Sequence, residues 1–236
     1  MAPINESATA SGRSFVANAT WRWICERRTL AVLLPEPFQV SSWAPLGAGF
    51  KRATVISNHQ IDQNNRVATE APHRYLSRVM QGLGFDADMA VAMMTAADVS
   101  AAAYAEQATG SCTVGAWCTA GCSNALRAGD PATAEDACVG TINLIVAVNE
   151  ALSRSALTEA IMIATEARVL AVQEAQITSV VSGRPATGTG TDCIAVASPI
   201  RPRAHRYCGK HTRLGELIGK TVLESCSGAL ARRTRK

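Results

Sequence analysis

Leu157 to Gln176 reads as a helix with almost no polar stripe in its middle, where Ile161, Met162, Ile163 and Leu170 stand among alanines. A helix apolar all round is normally covered on two sides. A chain holding such a helix must fold in layers. Material for the other layers is present. Ser111 to Thr119, Thr141 to Val148 and Thr191 to Ala197 are short apolar runs that read as strands, the last one central.

The remaining elements follow from punctuation. Trp21, Trp23 and Cys25 alternate with polar residues, and Thr29 to Leu34 is apolar, so Glu26-Arg27-Arg28 reads as the turn of a β-hairpin. Pro35 and Pro37 are expected to end it, and Ala53 to Ile61 to form a further strand. Helices are expected over 72–83, stopped by Gly82 or Gly84, and over 86–107, capped by Asp86 and buried through Met89-Ala-Val-Ala-Met-Met. Thr212 caps a final helix whose core face is Leu214, Leu217, Ile218 and Val222. Strands and helices do not alternate strictly, which argues against a doubly wound parallel sheet. The expectation is a mixed α/β (α+β) single domain over 20–230, its mixed or mainly antiparallel sheet layered with helices. An unstructured lead-in is expected over 1–19 and a basic tail over 231–236.

Composition narrows the function. A chain of 236 residues that is 47% apolar can bury a core without disulfides or metals. The net charge of +4 owes much to Arg232, Arg233, Arg235 and Lys236, and aromatic residues are 5% of the chain. A nucleic-acid surface needs a basic stripe with stacking aromatics, so no nucleic-acid partner is expected. The eight cysteines make no Cys-x-x-Cys pair and read as small core hydrophobes. No run reaches the ~20 apolar residues of a membrane span, and residues 1–20 lack a leader's apolar stretch. The expected home is a reducing cytoplasm.

Five segments carry candidate chemistry. In Ser182-Gly-Arg184-Pro-Ala-Thr187-Gly188-Thr189-Gly190-Thr191-Asp192, glycines alternate with threonines before an apolar strand. Such a loop suits close backbone approach to an anion. It is not a P-loop, because Lys and a following helix are missing. Thr119-Ala-Gly121-Cys-Ser-Asn124 offers a side-chain amide and a backbone N–H to an oxyanion. Gly209-Lys210-His211-Thr212 puts a histidine at a helix start, which keeps an imidazole neutral. Glu166, beside Ile163 and Leu170, is a carboxylate in apolar company, where a raised pKa suits an acid or base. Ser41-Ser42-Trp43-Ala-Pro-Leu-Gly47-Ala48-Gly49 lacks the Gly-x-Ser-x-Gly elbow. Competing structural readings are a capped turn for the glycine-rich loops, an ion pair for Glu166 and an exposed helix-start residue for His211.

The order of these segments is more specific than any one of them. Ala164-Thr-Glu-Ala-Arg168, the Ser182–Asp192 loop, Thr119–Gly129 and Tyr207-Cys-Gly-Lys-His-Thr-Arg-Leu-Gly-Glu-Leu-Ile-Gly219 together resemble the adenosylcobinamide amidohydrolase family. Ser41–Gly49 and Ile56-Ser-Asn58-His resemble its N-terminal part, so the likeness covers about residues 21–228. Ala48 and Trp43 depart from the smaller residues usual in that family, which bears on substrate range. The resemblance implies hydrolysis of the amide joining aminopropanol to the corrin ring, a small-molecule corrinoid partner, and no cofactor beyond the cobalt that the substrate carries.

Amide hydrolysis needs a nucleophile, an oxyanion stabiliser and an acid for the leaving amine. Glu166 or His211 is expected to move the proton, Asp192 to orient the base, and Asn124 with the Gly188–Thr191 backbone to hold the oxyanion. The nucleophile is activated water, or the hydroxyl of Thr191 or Thr189. Substrate contacts are expected from Ser41, Ser42, Gly47, Gly49, Asn58, Thr119, Gly121, Arg184, Thr187, Gly188, Thr189, Gly190, Thr191, Lys210 and Glu216. Corrinoid binding without hydrolysis, and a metalloamidase using His211 with Glu166 or Glu216, are the competing functions. No metal site is expected, and a homo-oligomer is left open.

Overall fold

The computed structural model describes residues 5–8, 14–17, 20–62, 64–132 and 140–233. Twelve strands are defined in it: β1 Asn5–Ala8, β2 Ser14–Ala17, β3 Arg22–Glu26, β4 Thr29–Ser42, β5 Gly49–Gln60, β6 Ala90–Thr95, β7 Ala103–Thr109, β8 Cys112–Ala120, β9 Ala125–Leu126, β10 Ile142–Val148, β11 Gly188–Thr189 and β12 Cys193–Pro199. The α-helices are α1 Arg66–Glu70, α2 Pro72–Gly82, α3 Arg154–Glu174 and α4 Arg213–Arg233.

Alternation along the strands sorts the core into three slabs and hence the chain into four layers. Ala116, Cys118, Leu144, Val146, Ile194 and Val196 face α3 and α4. Their neighbours Trp117, Ile145, Ala147, Ala195 and Ala197 face the other way, onto Val32, Ile56, Val91 and Met93. Ala31, Val55, Ala90 and Ala92 then face Leu76 and Met80 of α2. The order is helix, sheet, sheet, helices. In the middle slab Trp117 meets Trp21 and Trp23 edge-on, at centroid distances of 6.4 and 5.5 Å. Gly115 leaves room for Trp21, whose Cδ1 would stand 2.8 Å from a Cβ there.

β4 ties the two sheets together. Thr29–Leu33 lies between β3 and β5, whereas Phe38–Ser42 lies between β5 and β12. The register shifts between Leu33 and Phe38. Pro35 and Pro37 sit in that irregular stretch, where a missing N–H breaks no ladder. They therefore do not end the strand as expected. In the second sheet β10 pairs antiparallel with β8 and parallel with β12, so the expected mixed sheet is present.

Other expectations need correction. Residues 86–107 are not a helix. Asp86 caps only a 3-10 turn over Ala87–Met89, β6 follows, and after a second such turn the chain enters β7. β6 is apolar on both faces because it lies between α2 and the second sheet, which erases the alternation that marks a strand. Within the expected lead-in, β1 and β2 pair with each other and β2 with β3. Phe15-Val16 supplies the aromatic and β-branched residues that suit a strand. The expected tail begins inside α4, where Arg232 Nη1 donates to the carbonyl of Ala102. No described helix is long and apolar enough to cross a membrane.

Candidate functional site

Strand directions decide where the loops meet. β8 ends at Ala120 opposite Ile142, the first residue of β10, and Asn143 pairs with Cys193, the first of β12. Ser42, the last residue of β4, lies opposite Ala195. The Gly121–Asp130 turn, Gly140-Thr141, the Gly188–Asp192 loop and Trp43–Ala48 thus gather at one end of the sheet. β9 and β11 pair there as a short ribbon.

Asp192 organises this end. Its carboxylate accepts the N–H groups of Ile142 and Thr189 at 2.9 Å each, the Thr189 hydroxyl, and Arg168 Nη1 at 2.9 Å. Arg168 Nη2 donates to the Thr187 carbonyl, while its buried Nε has no acceptor. A side chain on Gly188 would overlap Asp192 Oδ2, so only glycine fits there. A carboxylate answered by three hydrogen-bond donors and a guanidinium clamps the loop in place.

Beside the clamp stands Asn124, 4% exposed, its Oδ1 without a partner. Its Nδ2 lies 3.8 Å from where a Gly190 Cβ would be. Among the described residues the N–H groups of Gly190 and Thr191 meet no acceptor. The exposed Thr191 donates its hydroxyl to the Gly140 carbonyl at 3.0 Å and stands 2.8 Å from the Thr141 hydroxyl. Two free consecutive N–H groups, a side-chain amide and hydroxyls form a small anion nest.

Behind the loops lies a buried polar chain. Asn58 Nδ2 donates to Thr119 Oγ1 at 2.8 Å, and Asn143 Nδ2 donates to Asn58 Oδ1 at 2.9 Å and to the Met94 carbonyl. Cys193 N–H in turn donates to Asn143 Oδ1. This chain fixes the loop-bearing ends of both sheets against each other. Asn143 was missed in the sequence, where a lone amide in the apolar run Ile142–Val148 was the available signal. Burial pushes the Cys193 thiol up to about 11, so it is no thiolate nucleophile near neutral pH. Among the described residues the cysteines are free and, Cys25 apart, buried.

The structure brings together Ser42, Asn58, Thr119, Gly121, Asn124, Thr187, Gly188, Thr189, Gly190, Thr191 and Asp192. Ser42 donates to the Ile194 carbonyl, Gly121 N–H to the Thr141 carbonyl, and Thr187 Oγ1 accepts the Ala128 N–H. Ser41 is buried on the opposite face of β4 from Ser42. Gly47 and Gly49 hold positive φ, and a Cβ on Gly47 would come within 2.8 Å of the Ala90 carbonyl. Trp43, half exposed, donates its indole N–H to the Asp192 carbonyl and so stands at the mouth. Arg184 is exposed on the preceding turn.

Four expected participants lie elsewhere. Glu166 is not desolvated: its side chain is 48% exposed and pairs with Lys210 at 2.6 Å. Glu216 pairs with Lys220, which holds its carboxyl below the ordinary value. Glu166, Lys210 and Glu216 rim a groove between α3 and α4 floored by Ile163, Ala167 and Leu223. His211 is exposed at the start of α4. No hydrogen bond or ion pair links these four to Asp192 or Asn124 among the described residues. The local reason is helical phase: Arg168 turns to the sheet, which leaves Glu166, two residues earlier, facing α4. No group of three His, Cys, Asp or Glu side chains converges among the described residues.

Residues 14–236 match the family model described as adenosylcobinamide amidohydrolase. The chain is 30% identical over 208 residues to an uncharacterized protein of Methanocaldococcus jannaschii, covering 79% of this chain and 80% of that protein. Among solved structures it is similar to a Burkholderia sp. beta-aminopeptidase, with 14% identity, a TM-score of 0.47, and coverage of 86% of this chain and 78% of that one. It is also similar to the L-aminopeptidase D-Ala-esterase/amidase of Ochrobactrum anthropi, with 11% identity, a TM-score of 0.42, and coverage of 98% and 82%.

Proposed function

The chain belongs to the adenosylcobinamide amidohydrolase family, and we propose that it hydrolyses the amide joining aminopropanol to the corrin ring of adenosylcobinamide. The products of this hydrolysis are adenosylcobyrate and 1-aminopropan-2-ol. The observation that carries it is the family match across residues 14–236. The anion nest at Asn124, Gly190 and Thr191 supports it, because an amide carbonyl becomes an oxyanion when attacked.

In this reading water adds to the carbonyl carbon, the oxyanion rests on the N–H groups of Gly190 and Thr191 and on Asn124 Nδ2, and the C–N bond breaks. Aminopropanol leaves as the amine, taking a proton, and the acid stays on the corrin side chain. The Thr191 and Thr141 hydroxyls orient the attacking water. Asp192 and Arg168 are positioning residues that hold the Gly188–Thr191 loop in shape. Trp43 and Ala48 narrow the mouth and set substrate range. The reaction takes no resident cofactor, and the cobalt belongs to the substrate.

A second reading, corrinoid binding without hydrolysis, is favoured by one observation: the cluster's carboxylate, Asp192, is fully engaged by donors. One experiment separates the two. Purified protein is incubated with adenosylcobinamide, with and without chelator, and products are resolved by chromatography. Hydrolysis yields cobyrate and free aminopropanol in equal amounts at a rate the chelator leaves unchanged. Bound substrate with neither product, beside an active control enzyme, establishes binding alone.

A further inference from the structure

We infer that the opposite end of the molecule carries a second binding site, for a small phosphorylated molecule. α3 starts there and reaches Arg168 only 14 residues later, about 21 Å away at the helical rise. A cavity of about 440 Å³ opens there among Arg206, Tyr207, Thr212 and Arg213. It shares Glu150 and His205 with a neighbouring cavity of about 380 Å³ that Arg201 and Arg203 line.

The charges do not balance within this region. Arg201 is answered by Glu36, and the one carboxylate lining both cavities, Glu150, meets His205 Nε2 at 2.5 Å, leaving three arginines to one acid. Arg203, Arg206 and Arg213 have no carboxylate within 4 Å among the described residues. Their backbone surroundings add to the imbalance. Ser153, which caps α3, donates its N–H to the His205 carbonyl and its hydroxyl to the Arg206 carbonyl. Arg213 is the first residue of α4. A cation at a helix start is disfavoured, so Arg213 stands where an anion is welcome.

Arginine meets phosphate through parallel N–H groups, so Arg206 and Arg213, which line one cavity, suit one phosphate or two linked ones. Tyr207 stands 67% exposed on the same rim and presents a ring face to a planar group. A nucleoside diphosphate satisfies both features. The site is independent of the amide chemistry, because none of its residues touches the Asn124–Asp192 cluster.

Titration calorimetry of the full chain at low salt tests this with pyrophosphate and with adenosine diphosphate. Saturable binding of pyrophosphate is expected, weakening with added salt. Arg206→Ala combined with Arg213→Ala raises Kd by about tenfold or more. Both substitutions are at exposed positions, and an unchanged melting curve verifies the fold. Adenosine diphosphate binds more tightly than pyrophosphate, and Tyr207→Ala removes that difference. No saturable binding at millimolar pyrophosphate, or equal binding by the double variant, overturns the site. A nucleotide no tighter than pyrophosphate overturns the ring contact.

Discussion

Arg168 Nη1 stands 2.9 Å from Asp192 Oδ2, and neither side chain is more than 10% exposed. The pair bolts α3 to the loop that carries the anion nest. Breaking a buried pair by removing one partner leaves a buried charge unanswered, which costs about 3–5 kcal/mol. Asp192→Ala is expected to lower stability by that order in urea unfolding. Arg168→Met with Asp192→Leu is expected to lose less than either change alone. Equal, additive losses would mean that the two charges do not act as a unit.

Gly188 tests the same loop sterically. Gly188→Ala forces a methyl onto Asp192 Oδ2, with expected losses of about 1–3 kcal/mol and a reduced kcat. Gly183→Ala is the control, because nothing lies within 4 Å of its added Cβ. Its positive φ of 67° limits the expected cost to about 1 kcal/mol. Thermal melts of the two variants measure the contrast.

Asn124 is expected to act in the transition state. Removing one oxyanion donor costs about 10²-fold or more in kcat in comparable sites. Asn124→Ala should therefore lower kcat of amide cleavage on that order and leave KM nearly unchanged. A rise in KM at constant kcat would assign Asn124 to substrate binding alone.

Glu166 and His211 are expected to be dispensable for the chemistry. Both are exposed, and a surface pair such as Glu166–Lys210 contributes roughly 0–1 kcal/mol. Glu166→Gln and His211→Ala should keep kcat within about threefold of wild type, a margin under about 1 kcal/mol. A loss comparable to that of Asn124→Ala would move the active site to the groove between α3 and α4.

His59 gives a pH dependence. Burial, with Arg28 nearby, pushes its pKa below the ordinary value. Its ring meets the Thr29 hydroxyl at 2.8 Å and the Tyr75 hydroxyl at 3.0 Å. The unfolded chain then binds a proton that the folded chain resists. The stability from this site is complete above about pH 6.5 and falls as the pH drops below that value. His59→Gln should flatten the decline between about pH 7 and 5.5 in denaturant unfolding.

The layered architecture was legible where one face differs from the other. The hairpin around Arg27-Arg28, the helix from Pro72 and the Thr212-capped helix follow from alternation and capping alone. β6 was not legible, because Val91 and Met93 face one slab and Ala90 and Ala92 another, and alanine and methionine favour helices. The site divided in the same way. Glycines and threonines announced the loop. Sequence adjacency misled for Glu166, since apolar neighbours on a helix do not show which way a single side chain points. Asn58 was singled out without its partner Asn143, because the two strands meet only through the packing of one sheet on the other.

β4 belongs to both sheets, and that continuity limits how the protein can open. A strand shared by both sheets resists their parting like a clamshell. Any widening has to come from the rims: the segments around Trp43, Asn124 and Gly190 must swing while the slabs stay fixed. Admission of a large substrate is thus a matter for a few short loops, and the length and stiffness of those loops set the size of molecule that enters.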